Sequence, residues 1–202
     1  EHEASLRAAL ITGDRLEITD PGTSEDFGLD WQDPAALTNF GRREPTTGWR
    51  WAGPGVSVTG PTWGGCLEVL HDVLAAGRSD LEPADLEGAV LLIELSEEVI
   101  PTRSAFRMLR VLGECGILAA AAAVLFARSP VDVLGSHGEQ QTREAMRTER
   151  DDMVIETVTG YNPQAVICCG IPFGHTRPQW ILPFGGEVTV DGAVRKVWAD
   201  YT

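Results

Sequence analysis

Basic residues are scarce in this sequence. Sixteen lysines and arginines stand against thirty aspartates and glutamates, and the formal charge of −14 would repel nucleic acid and anionic membrane surfaces at long range. Long apolar runs are also missing: none reaches the length of a membrane span, and the chain does not open on a signal peptide. It opens without methionine, on Glu1-His2-Glu3, as a processed fragment would. Cysteine is rare. Cys66, Cys115, Cys168 and Cys169 are too few and too unevenly spaced for a disulfide framework or a zinc cluster, so neither metal nor cofactor is expected. A reducing cytoplasm fits that usage. Adjacent Cys168 and Cys169 would point to opposite faces of a strand and read as small core residues.

What the chain has is material for one core. With 202 residues, 43% of them hydrophobic, a single substantial domain is expected. Residues 1–55 read as an extended arm with a tryptophan-bearing loop, holding one or two strands such as Arg15 to Thr19; residues 56–202 read as an α/β domain. Trp31, Trp49 and Trp51 lie among glycines and arginines, where indoles either cap a core edge or offer a stacking surface to a flat ligand.

The spacing predicts a short strand at Val56 to Val58, then Thr62-Trp63-Gly64-Gly65 leading into a helix from Cys66 to Ala76. Gly64 and Gly65 would either bring backbone N–H groups to an anion or carbonyl, or let the helix pack closely on a sheet. His71 on that helix reads as a packed or surface residue. Gly88 to Glu94 is a continuous apolar run ending in a carboxylate, the pattern of a strand covered on both faces. A helix opened by Pro101 follows to Cys115, with Phe106, Leu109 and Leu112 inward and Arg103, Arg107 and Arg110 outward. Ala121 to Ala127 is the next strand, which makes a βαβ unit with parallel pairing. Gly138 to Thr159 reads as a helix whose charged face is solvated, preceded by a surface His137. Glu187 to Val190 and Val194 to Trp198, around Asp191-Gly192-Ala193, predict a hairpin that closes the sheet.

Gly170 to Gly186 (GIPFGHTRPQWILPFGG) follows the apolar strand Ala165 to Cys169. Its glycines permit tight turns, and Pro172, Pro178 and Pro183 restrict it, so His175 would be held at a strand end. It is either a surface histidine or a catalytic one. Ligands in parallel sheets bind beyond the carboxyl ends of strands, where Glu94 also lies.

In order along the chain, Trp31, Gly48-Trp49-Arg50-Trp51, Gly60-Pro61-Thr62-Trp63-Gly64-Gly65, Val90 to Glu94 with Ser96-Glu97-Glu98, Phe173-Gly174-His175-Thr176 and Leu182-Pro183-Phe184-Gly185 resemble the C-terminal domain of the LD-carboxypeptidase and microcin C immunity peptidase family. The resemblance implies a mixed, partly barrel-like β-sheet with flanking helices. It implies a serine peptidase with a Ser, Glu, His triad whose serine lies in a separate N-terminal domain, so that Glu94 and His175 fill the last two roles here. It implies Trp31, Trp49, Trp51, Gly64 and Gly65 as substrate contacts and, as partners, the chain's own nucleophile domain, a small peptide or aminoacyl-nucleotide substrate, and a second copy in a homodimer. The family commonly has asparagine after the glycine pair, where this sequence has Cys66.

The chemistry is consistent with those roles, since an imidazole oriented by a buried carboxylate can take a hydroxyl proton and return it to a leaving amine. Family nucleophiles sit in a Gly-X-Ser-Asp turn between strand and helix. The one such string, Gly77-Arg78-Ser79-Asp80, has no strand feeding it. The chain alone is therefore expected to be inactive. Two substrate classes remain, aminoacyl-nucleotide compounds, favoured by the tryptophans, and murein tetrapeptides. A non-catalytic dimerisation or ligand-binding module is the alternative of another kind. The distinguishing geometry is a Glu94 oxygen within hydrogen-bond reach of one His175 nitrogen, with the other nitrogen facing an open cleft.

Overall fold

The computed structural model describes residues 2–133, 135 and 138–202; the expectation for His137 lies outside the described residues. Helix α1 (His2–Arg7) runs through a π-helical turn (Ala8–Thr12) into β1 (Arg15–Ile18). The short pair β2 (Thr23–Ser24) and β3 (Glu44–Pro45) brackets a 3-10 turn at Pro34–Leu37. Then follow β4 (Arg50–Ala52), β5 (Ser57–Cys66), α2 (Leu67–Ala75), β6 (Val90–Glu94), α3 (Thr102–Glu114) and α4 (Ile117–Ala120). The chain finishes with β7 (Ala123–Ala127), α5 (Gln140–Tyr161), β8 (Val166–Ile171), β9 (Glu187–Asp191) and β10 (Lys196–Asp200).

Eight strands form one mixed sheet in the order β1-β10-β9-β5-β6-β7-β8-β4. The apolar runs β6, β7 and β8 join the second half of β5 in its parallel centre, and antiparallel strands extend it on both sides. β5 is much longer than the expected Val56 to Val58. Its first half pairs with β9 and its second half, through Gly64 and Gly65, pairs with β6. The glycine pair thus lies inside a strand, where the missing side chain of Gly64 allows close pairing. A Cβ on Gly64 would sit 2.0 Å from the Leu92 carbonyl oxygen, and φ there is +148°.

Two cores form because the central strands are apolar on both faces. On the helical side Leu91, Ile93, Phe126 and Ile167 pack with Leu67, Leu109, Leu112 and Val158 of α2, α3 and α5. Full burial of each such side chain contributes about 1.5–3 kcal/mol. On the other side Ile18, Val197, Val188, Val58, Leu92, Leu125, Cys168 and Trp51, one from each strand, share a single cluster. Only a curled sheet brings its two outer strands to one core, and a groove of about 310 Å³ lined by Glu17 and Thr19 as well as Trp49 and Trp51 lies between them. The sheet is therefore mixed and partly barrel-like, with helices on its outside. Cys168 and Cys169 are both fully buried and fall in opposite cores.

Three sequence expectations fail locally. Phe106 is exposed, because Ala105, Leu109 and Leu112 form the i, i+4, i+7 stripe of α3 and Phe106 lies one step off it. The second hairpin strand begins at Lys196, since the Asp191 carboxylate accepts from Ala193 and Val194 N–H groups and Arg195 adopts φ +58°, lengthening the turn. The charged face of α5 is partly buried. Arg143, Arg147 and Arg150, again at i, i+4, i+7, reach Glu44, Asp26 and the carbonyls of Pro130 and Ile100. Asp26 also accepts from the Val131 and Asp132 N–H groups at 2.7 and 3.0 Å, so this layer fastens the N-terminal arm and the segment after β7 to the helix. Among the described residues no helix is long and apolar enough to cross a membrane.

Candidate active site

Strand parity places Glu94. Leu91 and Ile93 face the helices, while Val90 and Leu92 face the inner core, so Glu94, the last residue of β6, points to the inner side where the parallel strands end. Its register partner on β5 is Cys66. The loop after β8 crosses this end and is tied down at several points. Arg177 and Glu25 exchange two backbone hydrogen bonds of 2.8 and 2.9 Å, Trp180 N–H donates to Pro172 O at 2.7 Å, and the Trp180 indole N–H donates to Thr19 O at 3.0 Å. Such anchoring holds a loop side chain in one orientation, as a proton-transfer group requires.

The two sequence-nominated acid–base residues meet there. His175 Nδ1 lies 2.6 Å from Glu94 Oε2, with 12% of the Glu94 side chain and 42% of the His175 side chain exposed. Since an ionised carboxylate only accepts, Nδ1–H is the donor, which leaves Nε2 for other work. Burial works to lower the His175 pKa, but the hydrogen bond and charge of Glu94, with Glu97 and Glu68 behind it, outweigh that and raise it above 6.5. Burial raises the Glu94 pKa above 4.5, opposed by the bond from His175. The two shifts pull apart on whether the pair is charged. The direction on His175 is the firmer of the two, because its ring is half exposed and burial weighs less on it than on Glu94.

Nε2 faces a carboxylate instead of an open cleft: Glu97 Oε2 lies 3.2 Å away, on a side chain that is 58% exposed. Glu97 stands with Ser96 and Glu98 in the run after β6. Its contact with the ring arises because the chain turns back at Ser96, whose N–H and hydroxyl both donate to Glu68 Oε1. The Cys66 thiol, pushed up to about 11 chiefly by burial, is a neutral neighbour that donates to Glu68 at 3.2 Å. Ser79 lies beyond the far end of α2, its hydroxyl accepting from Leu81 N–H, so nothing brings it to His175. Among the described residues no group of three or more metal-ligating side chains could hold a metal ion.

The other nominated residues divide. Trp31 is 89% exposed and lines a cleft of about 620 Å³ with Phe40, Arg43, Glu25, Arg177 and Pro178. Arg177 and Pro178 belong to the His175 loop, and the Arg43 guanidinium lies 3.9 Å above the Phe40 ring. Sequence reading did not single out Phe40, Arg43 or Arg177, since an isolated arginine or phenylalanine in an irregular stretch carries no period. Trp49 and Trp51, with ring centroids 6.4 Å apart, pack against the inner core and line the separate groove between the outer strands. Gly64 and Gly65 lie within β5, one strand from Glu94.

The profile of the LD-carboxypeptidase C-terminal domain family matches residues 59–190. Among solved structures, an MccF-like protein from Streptococcus pneumoniae in complex with AMP superposes with a TM-score of 0.73 at 22% identity, covering 98% of this chain and 57% of that one. The microcin C7 self immunity protein MccF in complex with aspartyl sulfamoyl adenosine gives 0.72 at 19%, covering 99% and 55%. An MccF-like protein from Bacillus anthracis gives 0.70 at 15%, covering 98% and 54%. At these identities the likeness shows the fold, and the chain spans about half the length of those proteins. No curated protein matches the chain.

Proposed function

Because this chain belongs to the LD-carboxypeptidase C-terminal domain family, we propose that it supplies the acid–base half of a serine hydrolase that cleaves an amide bond near a peptide C-terminus. The observation that carries this reading is the 2.6 Å contact of His175 Nδ1 with Glu94 at the carboxyl ends of the parallel strands. Glu94 holds the ring in the Nδ1–H tautomer. His175 Nε2 then removes the proton of a serine hydroxyl supplied by a nucleophile domain outside this chain, and the serine oxygen attacks the carbonyl. Glu94 stabilises the imidazolium, which returns its proton to the leaving amine; water repeats the cycle on the acyl-enzyme. Without that serine and its oxyanion hole the chain by itself has little activity.

For the substrate, an aminoacyl-nucleotide compound fits best. The cleft beside the His175 loop offers the exposed Trp31 indole, the Phe40 ring and two guanidiniums, Arg43 and Arg177, which suit a flat base and an anionic linker. Solved relatives in complex with AMP and with aspartyl sulfamoyl adenosine support this class. A second reading, a murein tetrapeptide, draws on the carboxylates Glu68 and Glu97 near His175, which would attract a dibasic residue's ammonium. The test joins this chain to its own nucleophile-bearing half and compares hydrolysis of aspartyl sulfamoyl adenosine with that of a murein tetrapeptide. Turnover of the murein peptide alone removes the nucleotide reading. Full activity retained by both Glu94→Gln and His175→Gln removes the hydrolase mechanism altogether.

A further inference from the structure

A general base needs a free lone pair, yet both ring nitrogens of His175 already face carboxylates. Nδ1 has Glu94 at 2.6 Å and Nε2 has Glu97 at 3.2 Å. The Nδ1 contact is a hydrogen bond and the Nε2 contact an ion-pair approach, and a carboxylate that close to Nε2 is attracted only when that nitrogen too carries hydrogen, that is, when the ring is an imidazolium. An imidazolium cannot take a proton from a hydroxyl. We infer that Glu97 is a positioning residue acting through His175: it holds the ring in a protonated resting form, and the base becomes available only when Glu97 yields Nε2 to the nucleophile's hydroxyl. The inference rests on reading Glu94 and His175 as the acid–base pair.

The two carboxylates are built for different tasks. Glu94 ends a central strand with 12% of its side chain exposed, whereas Glu97 lies past the strand end with 58% exposed. One is packed into the end of the sheet and the other stands mostly in solvent. The turn carrying Glu97 is itself set by Ser96, whose backbone and hydroxyl both donate to Glu68, so the carboxylate starts within reach of the ring. Charged groups facing His175 are Glu94 from β6, Glu97 from the turn after it and Glu68 from α2. The Cys66 thiol at the end of β5 stays neutral. The charges that act most strongly on the ring are these carboxylates, so removing one of them should be visible in its titration. Once the ring is neutral its Nε2 lone pair repels the Glu97 carboxylate, and deprotonation itself opens the contact.

A competing hydroxyl has the advantage in a closed site. The Glu97 contact is exposed and therefore weakened by salt, while a serine packed over Nε2 would be screened from water. Docking of the nucleophile domain thus displaces Glu97 and switches the ring from resting to active form.

The test uses this chain as it stands, with ¹⁵N-labelled histidine followed by NMR through a pH titration and His175→Gln to assign the resonance. Replacement Glu97→Gln is expected to lower the His175 midpoint, and about 1 M salt, where the Debye length is about 3 Å, to lower it in the unmodified chain. An unmoved midpoint in Glu97→Gln overturns the inference. The Glu94→Gln titration separates the two levels. If it lowers the midpoint while Glu97→Gln does not, the resting contact falls and the acid–base pair stands; if neither moves it, the pair falls too. In the protein joined to its nucleophile-bearing half, where Glu97 has yielded Nε2, Glu97→Gln is expected to move the acid limb of kcat/KM much less than it moves the midpoint of this chain alone; an equal shift in both would show that Glu97 still holds the ring after docking and overturns the inference.

Discussion

Gly174 touches Glu94. A Cβ built on Gly174 would lie 2.9 Å from Glu94 Cβ, 3.2 Å from Glu94 Oε2 and 2.8 Å from Ala127 Cβ. The residue before His175 is therefore one whose lack of a side chain lets the histidine loop settle on the end of the sheet. Gly174→Ala is expected to push the loop off Glu94 at a cost of about 1–3 kcal/mol, the range for overpacking a filled site. Chemical denaturation would measure that cost, and loss of the Nδ1 contact should lower the His175 midpoint in the same variant. A neutral substitution with an unchanged midpoint would show that the loop has room it is not seen to have.

Glu94→Gln keeps the shape of the pair and removes its charge. Because His175 is held above its ordinary pKa by Glu94 against the opposing effect of burial, the variant should titrate lower. In the assembled enzyme the amide can no longer hold the productive tautomer, and kcat is expected to fall on the order of 10⁴-fold. Steady-state kinetics on the joined protein decide this, with KM expected to change much less than kcat.

The Arg147–Asp26 pair, 2.6 Å apart with side chains 11% and 5% exposed, should behave as a buried ion pair. Asp26→Ala leaves Arg147 uncompensated and frees the Val131 and Asp132 N–H groups, so a loss of about 3–5 kcal/mol is expected. Replacing both partners, Arg147→Met with Asp26→Leu, should recover a large part of it. Hydrogen exchange across residues 20–45 is the second readout. Faster exchange there in the single variant would show that the arm, and the Trp31 cleft with it, depends on this clamp.

Asp151 gives a pH dependence of known sign. Burial pushes its carboxyl up from 3.8 to about 6, against the pull of Arg50 and Arg128. Between those values the folded chain binds the proton that the unfolded chain has lost, so stability falls as pH rises from about 4 to about 6 and stays lower above that. The shift corresponds to a contribution on the order of 3 kcal/mol. Asp151→Asn is expected to be more stable than the unmodified chain at pH 7 and about equal to it at pH 4. Melting temperatures at the two pH values test this, and equal effects at both would contradict it.

Much of the framework could be read from period alone. The run Val90 to Glu94 announced a strand covered on both faces and ending in an acid, and the mixed, curled sheet agrees with the fold that the family resemblance implied. Glu94 and His175 were legible because each sits where an apolar strand gives way to something polar. The contact of Glu97 with the ring was not, since it depends on Ser96 turning the chain back onto Glu68, a contact 28 positions apart in sequence. The burial of Arg143 and Arg147 was invisible for a related reason: arginines on a helix look solvated until the distant Glu44 and Asp26 are placed beside them. Phe106 misled because an aromatic residue near a helical stripe is easily counted within it. Gly64 and Gly65 resembled a helix approach when they lie within β5, Gly64 directly against the Leu92 carbonyl of β6.

The curl of the sheet has a consequence for how copies of this domain can meet. Its outermost members, β1 and β4, are four and three residues long, and they carry Arg15, Glu17 and Arg50 beside the few unpaired peptide groups that remain. An intruding strand would find too short and too charged a template to extend the ladder, which is a common protection against edge-to-edge aggregation. Strand addition at either edge of this sheet is therefore disfavoured, which leaves side-chain surfaces as the favoured route for self-association.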